Sequence, residues 1–289
     1  MRYLFAIAML LASVPAGFAQ TEVTGVAAEE AELIQLDEVI DNMLPGVYSV
    51  TITLDRRLED YPGLMNSVRE TELGHLAEFA ALAINDHRSW LEDSPGWSWN
   101  EWFSDTVISI SFSNADVVSL DRRTSFYTGG AHPNQARSPV VTRADGLNPV
   151  GLDVLLADTA PDSPALTALF YAVYRELMAL KRERLGSDFD EVMERETWLA
   201  PLAPEVDAFP GFTLMANQSG EAAGGLMFHF EPYEVGSYAE GSYDVPVPLS
   251  VFDAYLTEDW AAVFDGLPGQ DVLTETGDAL EPIGPEAGD

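Results

Sequence analysis

The sequence predicts an α+β fold, a mainly antiparallel sheet packed with two long helices. Three observations predict it. Several short segments alternate apolar and polar residues with the period of a strand. Two long stretches carry apolar residues at helical spacing behind a proline start. Strands and helices also mix without the regular β–α alternation of a parallel sheet. No internal repeat is visible.

The chain opens like an export signal over residues 1–19. Met1 and Arg2 are followed by an apolar run, Leu4–Val14, and by Gly17-Phe18-Ala19, small residues suited to cleavage before Gln20. The run is well short of the ~20 residues that span a bilayer. Residues 20–45, acidic and alanine-rich, read as a leader or short helix. From there the expected domain covers 46–262, in two halves of about 46–135 and 136–262. In "VYSVTITL", Tyr48, Val50, Ile52 and Leu54 share one face of a strand. Pro62 opens a long helix on which Leu64, Val68, Leu76, Phe79 and Ala83 lie near helical spacing, ending around Trp90. "WSWNEW" then places Trp97, Trp99 and Trp102 together, either as an exposed aromatic cluster or as a loop folded back on the core.

"TVISISFSNADVVSL" is a hairpin. Ile108, Ile110 and Phe112 alternate, Asn114–Asp116 supply the turn, and the return strand reaches Phe126-Tyr127. Ser163-Pro164 caps a second long helix with Leu166, Phe170, Val173, Leu177 and Leu180 as its stripe and Gly186 as its stop. "GLMFHF" is a further strand, and "EPYEVGSYAEGSYDVPVPL" turns and returns as the last one. Ser250 is placed to cap a short helix with Val251, Phe252 and Tyr255. Residues 263–289, acidic and rich in Gly and Pro, read as a disordered tail.

Composition restricts the partners. With 14 basic and 48 acidic residues the net charge is −34, and Lys181 is the only lysine. Nucleic acid is excluded, because phosphate binding needs positive charge. A cationic partner would be steered toward such a surface, and solubility in a salty habitat would also explain it. The chain has no cysteine, so an exported domain is held by its core alone. With 47% hydrophobic residues it is globular.

Catalytic motifs are nearly absent. There is no cysteine nucleophile, G-x-S-x-G elbow, H-E-x-x-H helix or phosphate-cradling loop. His75 and His87 read as surface residues. His132 and His229, with Glu231 or Glu234 near in sequence, could form a two-His, one-carboxylate metal site or be hydrogen-bonded structural imidazoles. No cofactor is required by any motif. In "SFYTGGAHPN", Gly129 and Gly130 permit positive φ, Pro133 fixes the exit, and His132 can bond back to a turn carbonyl.

"YTGGAHPN", Tyr127–Asn134, behind an alternating hairpin, resembles the hallmark of an extracytoplasmic bacterial domain. That domain is shared by RsiV-type anti-sigma factor ectodomains and PdaC-type peptidoglycan deacetylases. "FHFEPYEVGSYAEGSYDVPVPLSVF" is similar to the family's closing motif, and "VYSVTITL", "YPGLMN" and "AIND" to its N-terminal half. The resemblance spans about residues 46–260. It implies an α+β fold that lets the two motifs lie close together, and an envelope location, periplasmic or secreted. In RsiV-type members the domain binds lysozyme; in deacetylase members the chemistry belongs to a separate domain. The implied role is a non-catalytic binding domain for a lysozyme-like muramidase or cell-wall material. The binding residues would be Tyr127, Gly129, Gly130, His132, Pro133, Tyr233, Glu234, Tyr238 and Gly241. A glycan-acting hydrolase or deacetylase, with His132 and His229 as acid/base groups or ligands, and a structural domain with another target are the alternatives.

Overall fold

A computed structural model describes residues 37–94 and 96–269. The fold is α+β with mostly antiparallel strands. The first sheet runs β1 (Glu38–Leu44), β2 (Tyr48–Leu54), β3 (Trp102–Ser113), β4 (Val117–Tyr127) and β5 (Asn134–Arg137), and β6 (Val140–Arg143) also pairs with β4. A second sheet holds β7 (Phe212–Ala216), β8 (Ala223–Phe230) and β9 (Tyr243–Pro248) in that order. One pair, β2 with β3, is parallel. Parallel neighbours need a long crossover, and helix α1 (Pro62–Asp93) supplies it.

Local chemistry explains the elements. Strand β2 buries Tyr48, Val50, Ile52 and Leu54, the face its alternation assigns. In the β3–β4 turn, Asn114 Oδ1 accepts hydrogen bonds from the backbone N–H of Asp116 and Val117, both at 3.0 Å. Helix α1 has Pro62 in its first turn, and helix α2 (Pro164–Leu185) has Ser163 Oγ accepting from Leu166 N. Both run close to their expected limits.

Two apolar clusters form the core. Residues of β2, β3, β4 and α1 make one; α2 with β7–β9 makes the other. Strand β4 divides them: Val117 faces the second cluster while Val118 and Leu120 face the first. Because both faces of its first half are covered, β4 reads as an apolar run there rather than an alternation. Leu214 N of β7 donates to the buried Ser119 Oγ at 2.9 Å, which pins the second sheet to β4.

Some expectations change. Glu38–Leu44, placed by sequence in the acidic leader, form strand β1 paired along its length with β2. At the other end Val263 and Phe264 are buried and Pro268 bridges to Asn217, so residues 263–268 pack as part of the domain. Ser250 caps no helix; two 3-10 turns, Leu249–Val251 and Asp253–Tyr255, stand there. The export signal, residues 20–36 of the leader and residues 270–289 of the tail lie outside the described residues.

Candidate functional site

Strand β4 carries Tyr127 to the end of the first sheet, where its ring stacks on Phe103 of β3 at 6.2 Å between centroids. The chain then turns with Gly129 at φ 89° and Gly130 at φ 108°, a region that side chains with a Cβ rarely adopt. Asn100 Nδ2 donates to the Tyr127 hydroxyl at 3.3 Å, and that hydroxyl donates to Gly130 O at 3.0 Å. His132 Nδ1 donates to Pro133 O at 2.8 Å. The bond runs forward to the carbonyl of the next residue, not back to the glycine turn as the sequence reading expected.

The second motif approaches the first. Tyr238 Oη donates to Pro133 O at 3.2 Å, and its ring lies 4.7 Å from that of His132. Tyr233 follows at 5.7 Å from Tyr238. Three rings thus form a row on the surface, with Tyr233 65% and Tyr238 39% exposed. Tyr233 holds φ 76°, one of two non-glycine residues with positive φ among those described. Strain of this kind persists only where the surroundings over-determine it, and it gathers at functional sites.

Several groups hold the Tyr233–Gly241 turn. Tyr233 N donates to Gly236 O at 2.9 Å, and Glu234 Oε2 accepts from Glu231 N at 2.7 Å. Ser237 and Glu240 form a reciprocal capping box, and Gly241 closes the turn at φ 75°. Beneath it lies Lys181 of α2, fully buried. Its Nζ donates to Val235 O at 2.8 Å, pairs with Glu240, and sits 2.8 Å from the Glu194 carboxylate. Arg184, one turn on, donates to Glu240 O at 2.6 Å and Ser242 O at 2.8 Å. A Cβ on Gly236 would stand 2.6 Å from Glu240 Oε2 and 2.9 Å from Lys181 Nζ, so a side chain there would push the ends of this ion pair aside.

Charge ties the two sheets beside the rings. Arg137 of β5 pairs with Asp121 of β4 through Nε at 2.6 Å and Nη2 at 2.8 Å, and its Nη1 donates to Asp244 of β9 at 2.6 Å. Burial by itself raises the Asp244 carboxyl, but hydrogen bonds from His229 and Arg137 outweigh it and hold it well below the usual carboxylate range. Asp121 is likewise lowered, with Arg137 and Arg123 overcoming burial. Glu231 goes the other way, raised by burial and by the neighbouring Glu234 charge.

His229 is buried, with Nδ1 2.8 Å from Asp244 Oδ1 and Nε2 2.9 Å from Thr213 Oγ1. A proton on Nδ1 donates to the carboxylate and leaves Nε2 to accept from the hydroxyl. Both nitrogens are therefore engaged. Among the described residues no group of three or more His, Asp and Glu side chains could hold a metal ion. Trp102 and Trp99 turn inward, stacked at 5.6 Å, whereas Trp97 is 77% exposed, so the tryptophan cluster divides between the two roles.

All nine sequence-selected residues lie in or beside these two turns. Sequence reading missed Lys181, Arg184, Gly236, Arg137 and Asp244, which shape them from below. One signal was available for Lys181: it lies four residues after Leu177, on the apolar stripe of α2, where a cation has to find buried partners.

Comparisons with known proteins concern the second half and the fold. Residues 159–250 match a family described as "Protein of unknown function (DUF3298)", a stretch that contains α2, the second sheet and the Tyr233–Gly241 turn. A search of curated proteins finds no match. The structure is similar to that of a DUF3298-family member from Bacteroides fragilis NCTC 9343, with a TM-score of 0.50 and 16% identity over 77% of this chain and 92% of that one. A DUF3298-family protein from Pseudomonas aeruginosa PAO1 gives a TM-score of 0.40 and 14% identity over 81% and 96% of the two chains. The Bacteroides likeness is one of fold.

Proposed function

We propose that this chain is an exported envelope domain that binds rather than catalyses. Its recognition face is the row His132, Tyr238 and Tyr233, and its partner is a basic protein of the lysozyme-like muramidase class. The observation that carries the reading is the meeting of the two motif turns in one exposed aromatic surface. Tyrosine offers a large, rigid contact area with a polar end, which is why it is enriched among residues that dominate binding energy. Holding Tyr233 at positive φ costs about 1–3 kcal/mol, and display of its ring to a partner gives that cost a purpose.

Electrostatics supports a basic partner. Net charge of −34 raises the encounter rate with a cation, and Glu234 follows Tyr233 in the turn, its carboxylate accepting from Glu231 N. The resemblance to RsiV-type ectodomains points to the same partner class and to an extracytoplasmic location. Binding is favoured over hydrolysis because His229 is buried with both nitrogens engaged, which leaves it no free acid or base position.

The test is kinetic. A basic muramidase is passed over the immobilised protein at 0.15 M salt, beside Tyr233→Ala and Tyr238→Ala variants checked for folding by thermal melt. Each substitution is expected to raise the off-rate roughly fivefold or more, the scale of a residue worth over 1 kcal/mol. Absence of binding, or binding indifferent to both tyrosines, refutes the assignment. Retention on sedimented peptidoglycan in place of the muramidase would assign the surface to cell-wall material.

A further inference from the structure

A chain of polar side chains crosses from one sheet to the other. Thr213 of β7 meets His229 of β8 at 2.9 Å, and His229 meets Asp244 Oδ1 of β9 at 2.8 Å. Arg137 of β5 donates to that same oxygen and to Asp121 of β4, both at 2.6 Å. Thr213, His229 and Asp121 are buried, and the Arg137 side chain is only 11% exposed. The crossing step adjoins both motif turns. Arg137 ends the strand that Asn134 begins, and Asp244 stands three residues beyond Gly241, second in β9. An extended strand has a fixed rise per residue, so a group that holds these two positions also places the turns. The direct links between the turns are weaker: one neutral hydrogen bond, Tyr238 Oη to Pro133 O at 3.2 Å, and the contact of the Tyr238 and His132 rings.

We propose that Arg137 is the positioning residue of the recognition face. Through Asp121 and Asp244 it sets the two motif turns side by side, so that His132, Tyr238 and Tyr233 present one row. Net stability does not account for the crossing. A buried arginine between two carboxylates roughly breaks even against apolar side chains of similar volume, because desolvation offsets the attraction. What it adds is geometry. The guanidinium is planar with its donors in a rigid fork. Nε and Nη2 hold the two oxygens of Asp121 at 2.6 and 2.8 Å, which leaves Nη1 aimed at Asp244. One rigid group therefore fixes β4 and β9 relative to each other beside the face. The consequence for binding rests on the function proposed above; the alignment itself belongs to the free chain and is measured without a partner.

The test uses the full chain and a triple variant, Asp121→Leu, Arg137→Met, Asp244→Asn, which removes the whole ion set and leaves His229 an amide oxygen as acceptor. Three quantities are measured: the thermal melt, the nuclear Overhauser contact between the His132 and Tyr238 rings in the free protein, and the off-rate of a basic muramidase at 0.15 M salt. The melt is expected to stay near the parent's, as loss of a complete buried ion set allows. The ring contact is expected to weaken or vanish, and the off-rate to rise roughly fivefold or more. Tyr238→Ala added to the triple variant should change the off-rate little further, because both act through one surface. Arg137→Lys keeps the charge without the fork and should fall between the parent and the triple variant; it decides the matter if the triple variant does not fold. A ring contact as strong as the parent's in these variants overturns the inference. So does an off-rate that rises while the ring contact stands, or additivity of Tyr238→Ala with the triple variant. If the parent binds no muramidase, the functional proposal fails and the ring contact alone decides the positioning role.

Discussion

Two glycines and one tyrosine show how backbone conformation builds the surface. Gly130 at φ 108° has open space where a Cβ would project, so its requirement is conformational rather than steric. Gly130→Val is expected to cost about 1–3 kcal/mol, read as a lower melting temperature. Tyr233 presents the opposite case. Tyr233→Gly relieves the positive φ and is expected to leave stability equal or higher by about 1 kcal/mol while weakening the partner, a stability–function exchange measurable by denaturation and binding together. Lys181 is the critical cation: Lys181→Met leaves the Glu194 and Glu240 carboxylates, both nearly buried, without it. A loss of about 3–5 kcal/mol in chemical denaturation is expected, because an uncompensated buried charge remains. The glycine turn was legible in the sequence because few residues other than glycine turn that way. Tyr233 was not, since nothing local in "EPYEVG" marks a tyrosine as left-handed, and Lys181 went unread because its partners are more than ten residues away.

Elements defined by their own periodicity were the legible ones. Strand β2, the β3–β4 hairpin and both long helices carry their pattern within a dozen residues. Strand β1 does not. Val39 and Ile40 are adjacent, as are Met43 and Leu44, so no alternation marks it, and only its pairing with β2 makes it a strand. The short strands β5, β6 and β7 are also set by non-local partners. Arg137 joins β5 to β4 and β9, and this link sets an acid limit on the fold. Asp121 and Asp244 have carboxyls lowered in the folded state. A depressed carboxyl adds stability above its unfolded value of about 4, and this stability is lost as pH falls toward the folded value. Glu231, raised, works with the opposite sign. Unfolding free energy is therefore expected to fall as pH drops below about 4, and Asp244→Asn should flatten that limb; an unchanged limb would show that the link contributes nothing.

At the scale of the whole molecule, charge and surface act on different steps of association. Diffuse negative charge speeds encounter, and its reach shrinks from ~10 Å at 0.1 M salt to ~3 Å at 1 M. Neutralising Asp271, Glu275 and Asp278 should slow the on-rate for a basic muramidase and leave the off-rate in place. Composition set the sign of the partner we propose; the proposed contact face needed two turns about a hundred residues apart in sequence to be seen side by side. Hydrogen exchange of the backbone with and without a saturating basic muramidase at 0.15 M salt tests that location most directly. The account predicts protection confined to residues 127–134 and 231–242, with β1 and the exposed side of α1 unchanged. Protection elsewhere with these two turns exchanging freely, or no protection at all, would contradict it.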